Sequence, residues 1–405
     1  MKVLIFAPYI YDPEIGEFTR NQTGFGMMVK DILDFVGKKE EVIFSSRVIT
    51  NGRSFENYKI LKHTFSDIFK SARPRDYIRA ISGFFYGKYA FKDRLRNAFY
   101  DFDGGYVRST IKSERPDIVH IHGIGPITKS YIDICLKLKI PFVVTLHGLI
   151  GLDNSVLAPD STKRLEKEFL IKALKENIPV TVISSGMKKR IEENYLLKPA
   201  DNITVVLNGT KSEAAEVNTD DILTSLGIEN KKICLAIGNI CKRKNQIEIV
   251  RAWGKLPDEL RKQSAVLMCG NDLSNGEMIK EIEKINAQSE IFILGFVEKK
   301  KVEYLLENAS LNIVASLDEG FGLSIIEAFS HGVPTVTFSD LDAVPDLSSD
   351  YAMLFSKSRK TEDFSLAIAS ALLKEWHKEK IKKHAERFTM ESTADKYIEV
   401  YKNSI

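Results

Sequence analysis

The stretch Ser316–Thr335 reads SLDEGFGLSIIEAFSHGVPT. It carries two carboxylates, Glu319 and Glu327, around Gly320 and Gly322. Carboxylates accept strongly from hydroxyl groups. Glu319, ahead of the expected helix, suits a sugar hydroxyl, and Glu327, one turn into it, suits a ribose diol. The glycines allow a sharp turn and close backbone approach to a ligand. The pattern predicts a helix from Leu323 to about Ser330, ended by Gly332 and Pro334. The backbone of Phe321, Gly322, Leu323 and Ser324 at its start suits a phosphate, because free N–H groups and the helix dipole point there. The plain alternative is a strand, loop and helix with two solvated glutamates.

Three further stretches have chemical potential. Ile237–Gln246 (IGNICKRKNQ) places a basic cluster after a strand that ends at Gly238. Lysine is a compact cation suited to a diphosphate, and the alternative is a solvated basic loop. Val143–Gly148 (VVTLHG) ends a buried-looking strand on His147. Open α/β sheets bind ligands beyond the carboxyl ends of their strands, so His147 is a candidate, while His120 and His122 read as structural. Gln22–Gly26 (QTGFG) precedes a predicted helix Met27–Phe35. Gly24 and Gly26 there could present N–H groups to a phosphate or merely form a turn.

Strands and helices must position these groups. Apolar, β-rich runs fall at Val3–Ala7, Val42–Ser46, Asp117–His122, Phe142–Leu146, Val180–Ser184 and Ile203–Leu207. A second series falls at Ile233–Ile237, Ala265–Cys269, Ile291–Leu294, Leu311–Ala315 and Thr335–Phe338. Near-continuous apolar strands alternating with helical segments such as Asp160–Asn177 imply parallel sheets covered on both faces. The polar stretch Lys211–Lys232 separates the series. With 405 residues the chain exceeds the ~250–300 that one core sustains. Two Rossmann-like domains follow. Ser392 and Asp395 have capping-box spacing and predict a last helix with Ala394, Tyr397, Ile398 and Tyr401 on one face.

In these motifs and in their order along most of the chain, the sequence resembles the family 4 glycosyltransferases, the retaining group with the GT-B fold. The resemblance implies an α/β chain of two Rossmann-like domains facing across a cleft. Residues 1–208 would form the acceptor-side domain, 209–385 the nucleotide-sugar domain, and 386–405 a helix crossing back to the first. It assigns Glu319 to the transferred sugar, Glu327 to the nucleotide ribose, His147 to the neighbourhood of the donor sugar, and the glycine loop of Gly24 and Gly26 to the cleft. Lys244 matches the family's lysine, whereas Asn239 stands where an arginine is usual, so Lys242 or Arg243 would have to supply that charge. Phe296, between Gly295 and Val297, falls in the nucleobase region, and Asn208 and Gly209 at the junction. The implied reaction moves a sugar from a UDP- or GDP-sugar to an acceptor hydroxyl by front-face attack, with the leaving phosphate helping to deprotonate the acceptor. The implied partners are a nucleotide-sugar donor and a glycan or lipid-linked glycan acceptor in bacterial surface polysaccharide or lipid-linked glycan synthesis. No cofactor or obligatory metal is implied. A nucleotide-sugar epimerase or a non-catalytic binding protein on the same scaffold are the alternatives.

Residues 73–108 are unusual. They hold ten aromatics, eight Lys or Arg and four Asp, a net +4 against +3 for the whole chain. Such a segment suits an anionic membrane surface, acceptor sugars, or an ordinary packed helical pair. Asp101 and Asp103 form a DxD triplet that we read as coincidence, since no strand precedes it. The near-balanced charge argues against a nucleic-acid partner. The four cysteines form no CxxC pair, which fits free thiols in a reducing compartment. The N-terminal apolar run reads as a strand, and no stretch reaches the ~18 apolar residues of a membrane helix. The expected location is cytoplasmic, with peripheral contact at the inner membrane face through 73–108.

Overall fold

The structure, a computed structural model, describes residues 1–11, 24–47, 51–86, 91–153, 155, 158–211 and 222–405. Gln22, Thr23, Tyr89 and most of the acidic stretch after Lys211 lie outside them. So do the side chains of Tyr86, Phe99, Tyr100 and Asp101.

The chain divides into two compact units, Met1–Asn208 with Met390–Ile405, and Gly209–Thr389. The first is built on eight strands: β1 (Lys2–Phe6), β2 (Glu41–Ser45), β3 (Arg53–Ser54), β4 (Tyr58–Ile60), β5 (Ile118–His122), β6 (Phe142–Leu146), β7 (Val180–Val182) and β8 (Ile203–Val205). Their order is β3-β4-β2-β1-β5-β6-β7-β8. Every pairing is parallel except the edge pair β3–β4. Strands β5 and β6 are buried at every position, as expected for strands covered on both faces. The second unit contains β9 (Lys232–Ile237), β10 (Ser264–Cys269), β11 (Ile291–Gly295), β12 (Ala309–Ile313), β13 (Thr335–Phe338) and β14 (Met353–Ser356). This sheet is parallel throughout, in the order β11-β10-β9-β12-β13-β14. Two apolar clusters, one around Trp253, Phe338 and Phe364 and one around Leu235, Leu267 and Leu305, form its core.

The two sheets share one consequence. Strand order reverses between β1 and β5 in the first and between β9 and β12 in the second. A crevice opens at such a point beyond the carboxyl ends of the strands.

Four helices of the first unit matter below: α1 (Gly24–Gly37), α2 (Phe65–Ser71), α3 (Pro74–Tyr86) and α4 (Phe91–Glu114). Helix α1 begins three residues before the predicted Met27, so Gly24 and Gly26 lie in its first turn rather than in a preceding loop. Gly26 is fixed by packing: a Cβ there would come within 2.8 Å of the Tyr11 backbone nitrogen, which donates to the Gly26 carbonyl at 3.1 Å.

The terminal helix, Met390–Ser404, packs against α1 and β6. Its buried face includes Ala394, Tyr397, Ile398 and Tyr401, as the period predicts. The expected capping box is corrected: Ser392 and Asp395 sit inside the helix, and Asp395 instead pairs with Lys39. Strands β3, β4 and β14 were not predicted. They are two to four residues long, and none is buried at every position.

Candidate active site

The site is clearest in the second unit. The loop after β9 and the loop after β12 meet where strand order reverses. Lys244, on the first, places its Nζ 2.5 Å from Glu319 Oε2 on the second. Ser316 donates to the same oxygen at 3.2 Å, and an Arg243 guanidinium nitrogen lies 3.8 Å from it. Burial pushes the Glu319 carboxyl up, but Lys244 and Arg243 outweigh burial and hold it below its usual value. Two cations thus face one carboxylate.

Backbone and side-chain ties fix this geometry. Leu317 N–H donates to the Arg243 carbonyl at 2.8 Å. Arg243 donates to the Asp318 carbonyl at 3.2 Å, and Asn245 to the Ala315 carbonyl at 3.3 Å. Gln246, at the start of the helix Gln246–Trp253, donates to the carbonyls of Gly238 and Asn239 at 3.1 and 3.0 Å. Asn239 accepts from the Asn271 N–H at 3.1 Å. The asparagine therefore ties the ends of β9 and β10 together. Lys242 is exposed, and Arg243 is the basic residue that reaches the cluster.

Gly322 is the N-cap of the helix Leu323–Ser330, with φ +85°. This left-handed conformation favours glycine. The cap supplies no side-chain acceptor, so N–H groups of the first turn are left for another acceptor. Phe321 and Ser324 are buried, Leu323 and Glu327 are half-buried, and Phe296 is exposed.

In the first unit, His147 directly follows β6. Its Nε2 lies 2.8 Å from Nδ1 of His122, and Phe25 of α1 meets its ring edge-on at 4.9 Å. The fully buried His120 lies between Tyr401 (2.7 Å) and Thr145 (2.6 Å). Burial lowers the His147 pKa to about 4. Burial, with His147 nearby, lowers that of His120 to about 3. Both are neutral at pH 7, which leaves each ring one donor and one acceptor nitrogen.

The loop that follows His147 is clamped. Glu166, from the helix Asp160–Lys175, accepts from the N–H groups of Ile150 (2.9 Å) and Gly151 (3.0 Å) and from Tyr195 O–H (3.1 Å). Arg190 donates to the Leu152 carbonyl at 2.8 Å. Tyr195 sits on a short π-helical turn, Glu192–Leu196. Sequence reading missed Glu166, Tyr195, Phe25 and Ser316. For Ser316 a signal existed, since it opens the motif three residues before Glu319. The others come from elements far apart in the chain. Asp103 of the DxD triplet lies inside α4, fully buried, bonded to His63 and Tyr131 at 2.7 Å each.

Residues 65–213 match the family described as Glycosyltransferase Family 4, and residues 218–388 that described as Glycosyl transferases group 1. The chain belongs to the family 4 glycosyltransferases. It is 26% identical over 232 residues to the N-acetyl-alpha-D-glucosaminyl L-malate synthase of Bacillus anthracis, covering 55% of this chain and 56% of that one. It is 24% identical over 249 residues to the alpha-monoglucosyldiacylglycerol synthase of Acholeplasma laidlawii, covering 58% and 61%. The chain thus spans little more than half the length of these relatives. In fold it resembles the sucrose-phosphate synthase of Thermosynechococcus elongatus, with a TM-score of 0.72 at 14% identity over 99% of this chain and 98% of that one. The fold of this family 4 chain is GT-B. The packing of its terminal helix on α1 agrees with the return to the first domain that the resemblance implied.

Proposed function

We propose that this family 4 member transfers a sugar, with retention, from a nucleoside-diphosphate donor to an acceptor hydroxyl. The carrying observation is the Lys244–Glu319–Ser316 cluster beside the uncapped start of the helix Leu323–Ser330. Such a cluster suits a leaving diphosphate and the sugar it leaves. The bond from the anomeric carbon to the phosphate oxygen breaks, and its electron pair stays with the diphosphate. Lys244 and the N–H groups near Gly322–Ser324 stabilise that charge. Glu319, kept ionised, orients the sugar by accepting from a hydroxyl. The acceptor oxygen bonds to the anomeric carbon, and its proton passes to the leaving phosphate. Glu327 serves the ribose, Phe296 the base, and His147 a hydroxyl of the sugar. Asn239 keeps the loop ends in place, and Arg243 supplies the second cation. A UDP- or GDP-sugar donor and a glycan or lipid-linked glycan acceptor are the proposed substrates; the malate and diacylglycerol conjugates named for the two relatives support transfer to a hydroxyl acceptor.

Thermal stabilisation by UDP, GDP, ADP and dTDP, each with and without magnesium, tests the donor site. A ligand at 100-fold its Kd stabilises by about 2.7 kcal/mol. The expected result is a clear rise with one base and no need for magnesium. No rise with any nucleotide overturns the reading. Turnover of the matching nucleotide sugar without acceptor would instead favour an epimerase.

A further inference from the structure

Helix α3 is inside-out. Asp76 is buried on its inner side and held by Arg108 through a two-pronged ion pair at 3.2 and 2.5 Å. Ala80 lies beside it, 1% exposed. Four of its large apolar side chains face outward instead: Tyr77 is 39% exposed, Ile78 67%, Ile81 55% and Phe85 66%, while Phe84 is half-buried. At 100° per residue these four fall within one arc of about 100°. Phe65 and Phe69 of α2 and Phe91 of α4 are also exposed. A helix in contact with water normally has the opposite arrangement.

Charge is sorted the same way. Among the described side chains of this region, the acids are inward or engaged. Asp76 and Asp103 are buried with partners, and Asp67 closes the capping box of α2. The bases Lys70, Arg73 and Arg75 are exposed. The surface is therefore an apolar face with a positive rim. A second copy docked symmetrically would set this rim against itself. An anionic surface complements it, and the apolar side chains need a nonpolar phase.

We propose that the outer face of α2 and α3, with the start of α4, docks on an anionic lipid bilayer. The apolar side chains enter the headgroup boundary, and Lys70, Arg73 and Arg75 meet the lipid charge. This rests on which side chains of α2 and α3 face outward and not on the donor-site reading.

The test is sedimentation of the full chain with vesicles of phosphatidylcholine, or of an equal mixture of phosphatidylcholine and phosphatidylglycerol, without nucleotide or sugar. Wild type binds the mixed vesicles, releases them in high salt, and ignores the neutral ones. The Arg73→Gln/Arg75→Gln variant binds the mixed vesicles about 30-fold more weakly, at roughly fivefold per cation. An Ile78→Ser/Ile81→Ser/Phe85→Ser variant that keeps the wild-type melting temperature does not bind. Equal binding of wild type to both vesicles overturns the proposal, and that arm needs no variant. So does undiminished binding by the folded serine variant. A wild-type dimer that the serine variant converts to monomer, with no vesicle binding by either, assigns the face to a second copy instead.

Discussion

Lys244 and Glu319 depend on one another. Glu319 is 9% exposed, and without Lys244 its nearest cation is Arg243, 3.8 Å away. A buried carboxylate that loses its partner keeps the cost of leaving water. Lys244→Ala is expected to cost roughly 3 kcal/mol of stability and to slow sugar transfer by about 10²–10³. Urea unfolding and initial rates check the two effects. The histidines give a second prediction. His147 titrates near 4 and His120 near 3 in the folded chain, but both near 6.5 when unfolded. Between these values the unfolded chain binds more protons, so stability is complete above about pH 6.5 and falls as pH drops toward 4. Each contributes a loss of up to about 1.4 kcal/mol per pH unit in its window. Melting temperatures from pH 7 to 4 are expected to show this fall, and a less steep one in His147→Asn.

At the scale of elements, the structure explains how a strand end becomes a usable platform. The turn after β6 carries backbone N–H groups that the sheet cannot satisfy, and Glu166 accepts two of them from a separate helix. Glu166→Gln keeps one acceptor oxygen but turns an amide donor toward these N–H groups. The expected loss is about 1–3 kcal/mol. His147 sits at the start of this turn, so the variant is also expected to raise the KM for the donor sugar more than it lowers kcat. Denaturant unfolding and steady-state kinetics check both. This clamp was illegible in the sequence because Glu166 and Tyr195 are 29 positions apart and nothing in either local pattern refers to the other. The helix Leu323–Ser330 was legible to the residue, because Gly322 and Gly332 bracket an apolar run. The start of the terminal helix was not. Ser392 and Asp395 have cap spacing, but the buried Met390 begins the helix earlier, and packing decides over a local cap.

For the whole molecule, each unit has its own sheet and core, and His120 and His147, whose pKa values burial lowers, fall in a different unit from Lys244 and Glu319. Calorimetry is expected to resolve two transitions. One, from the unit holding His120 and His147, moves down with acid. The other, from the unit holding Lys244 and Glu319, moves up with the bound nucleotide. A single transition that responds to both would show that the units unfold together.

Much of this architecture is written locally. Runs of β-branched and apolar residues marked eleven of the fourteen strands among the described residues, and their alternation with helices implied parallel sheets, because such strands are stable only when covered on both faces. The glutamates, the lysine and the histidine could be picked out because they stand beside glycines and strand ends and match the family's motifs. The tertiary structure alone decided what each is partnered with. It set Lys244 and Ser316 on one oxygen of Glu319, gave Asn239 a tie between strand ends, and drew His120 between Tyr401 and Thr145. It also turned Asp76 and Asp103 of the 73–108 segment inward and Arg73, Arg75, Ile78, Ile81 and Phe85 outward. Composition records the charges in that segment, but burial depends on residues far away in the chain, and only the folded arrangement supplies them.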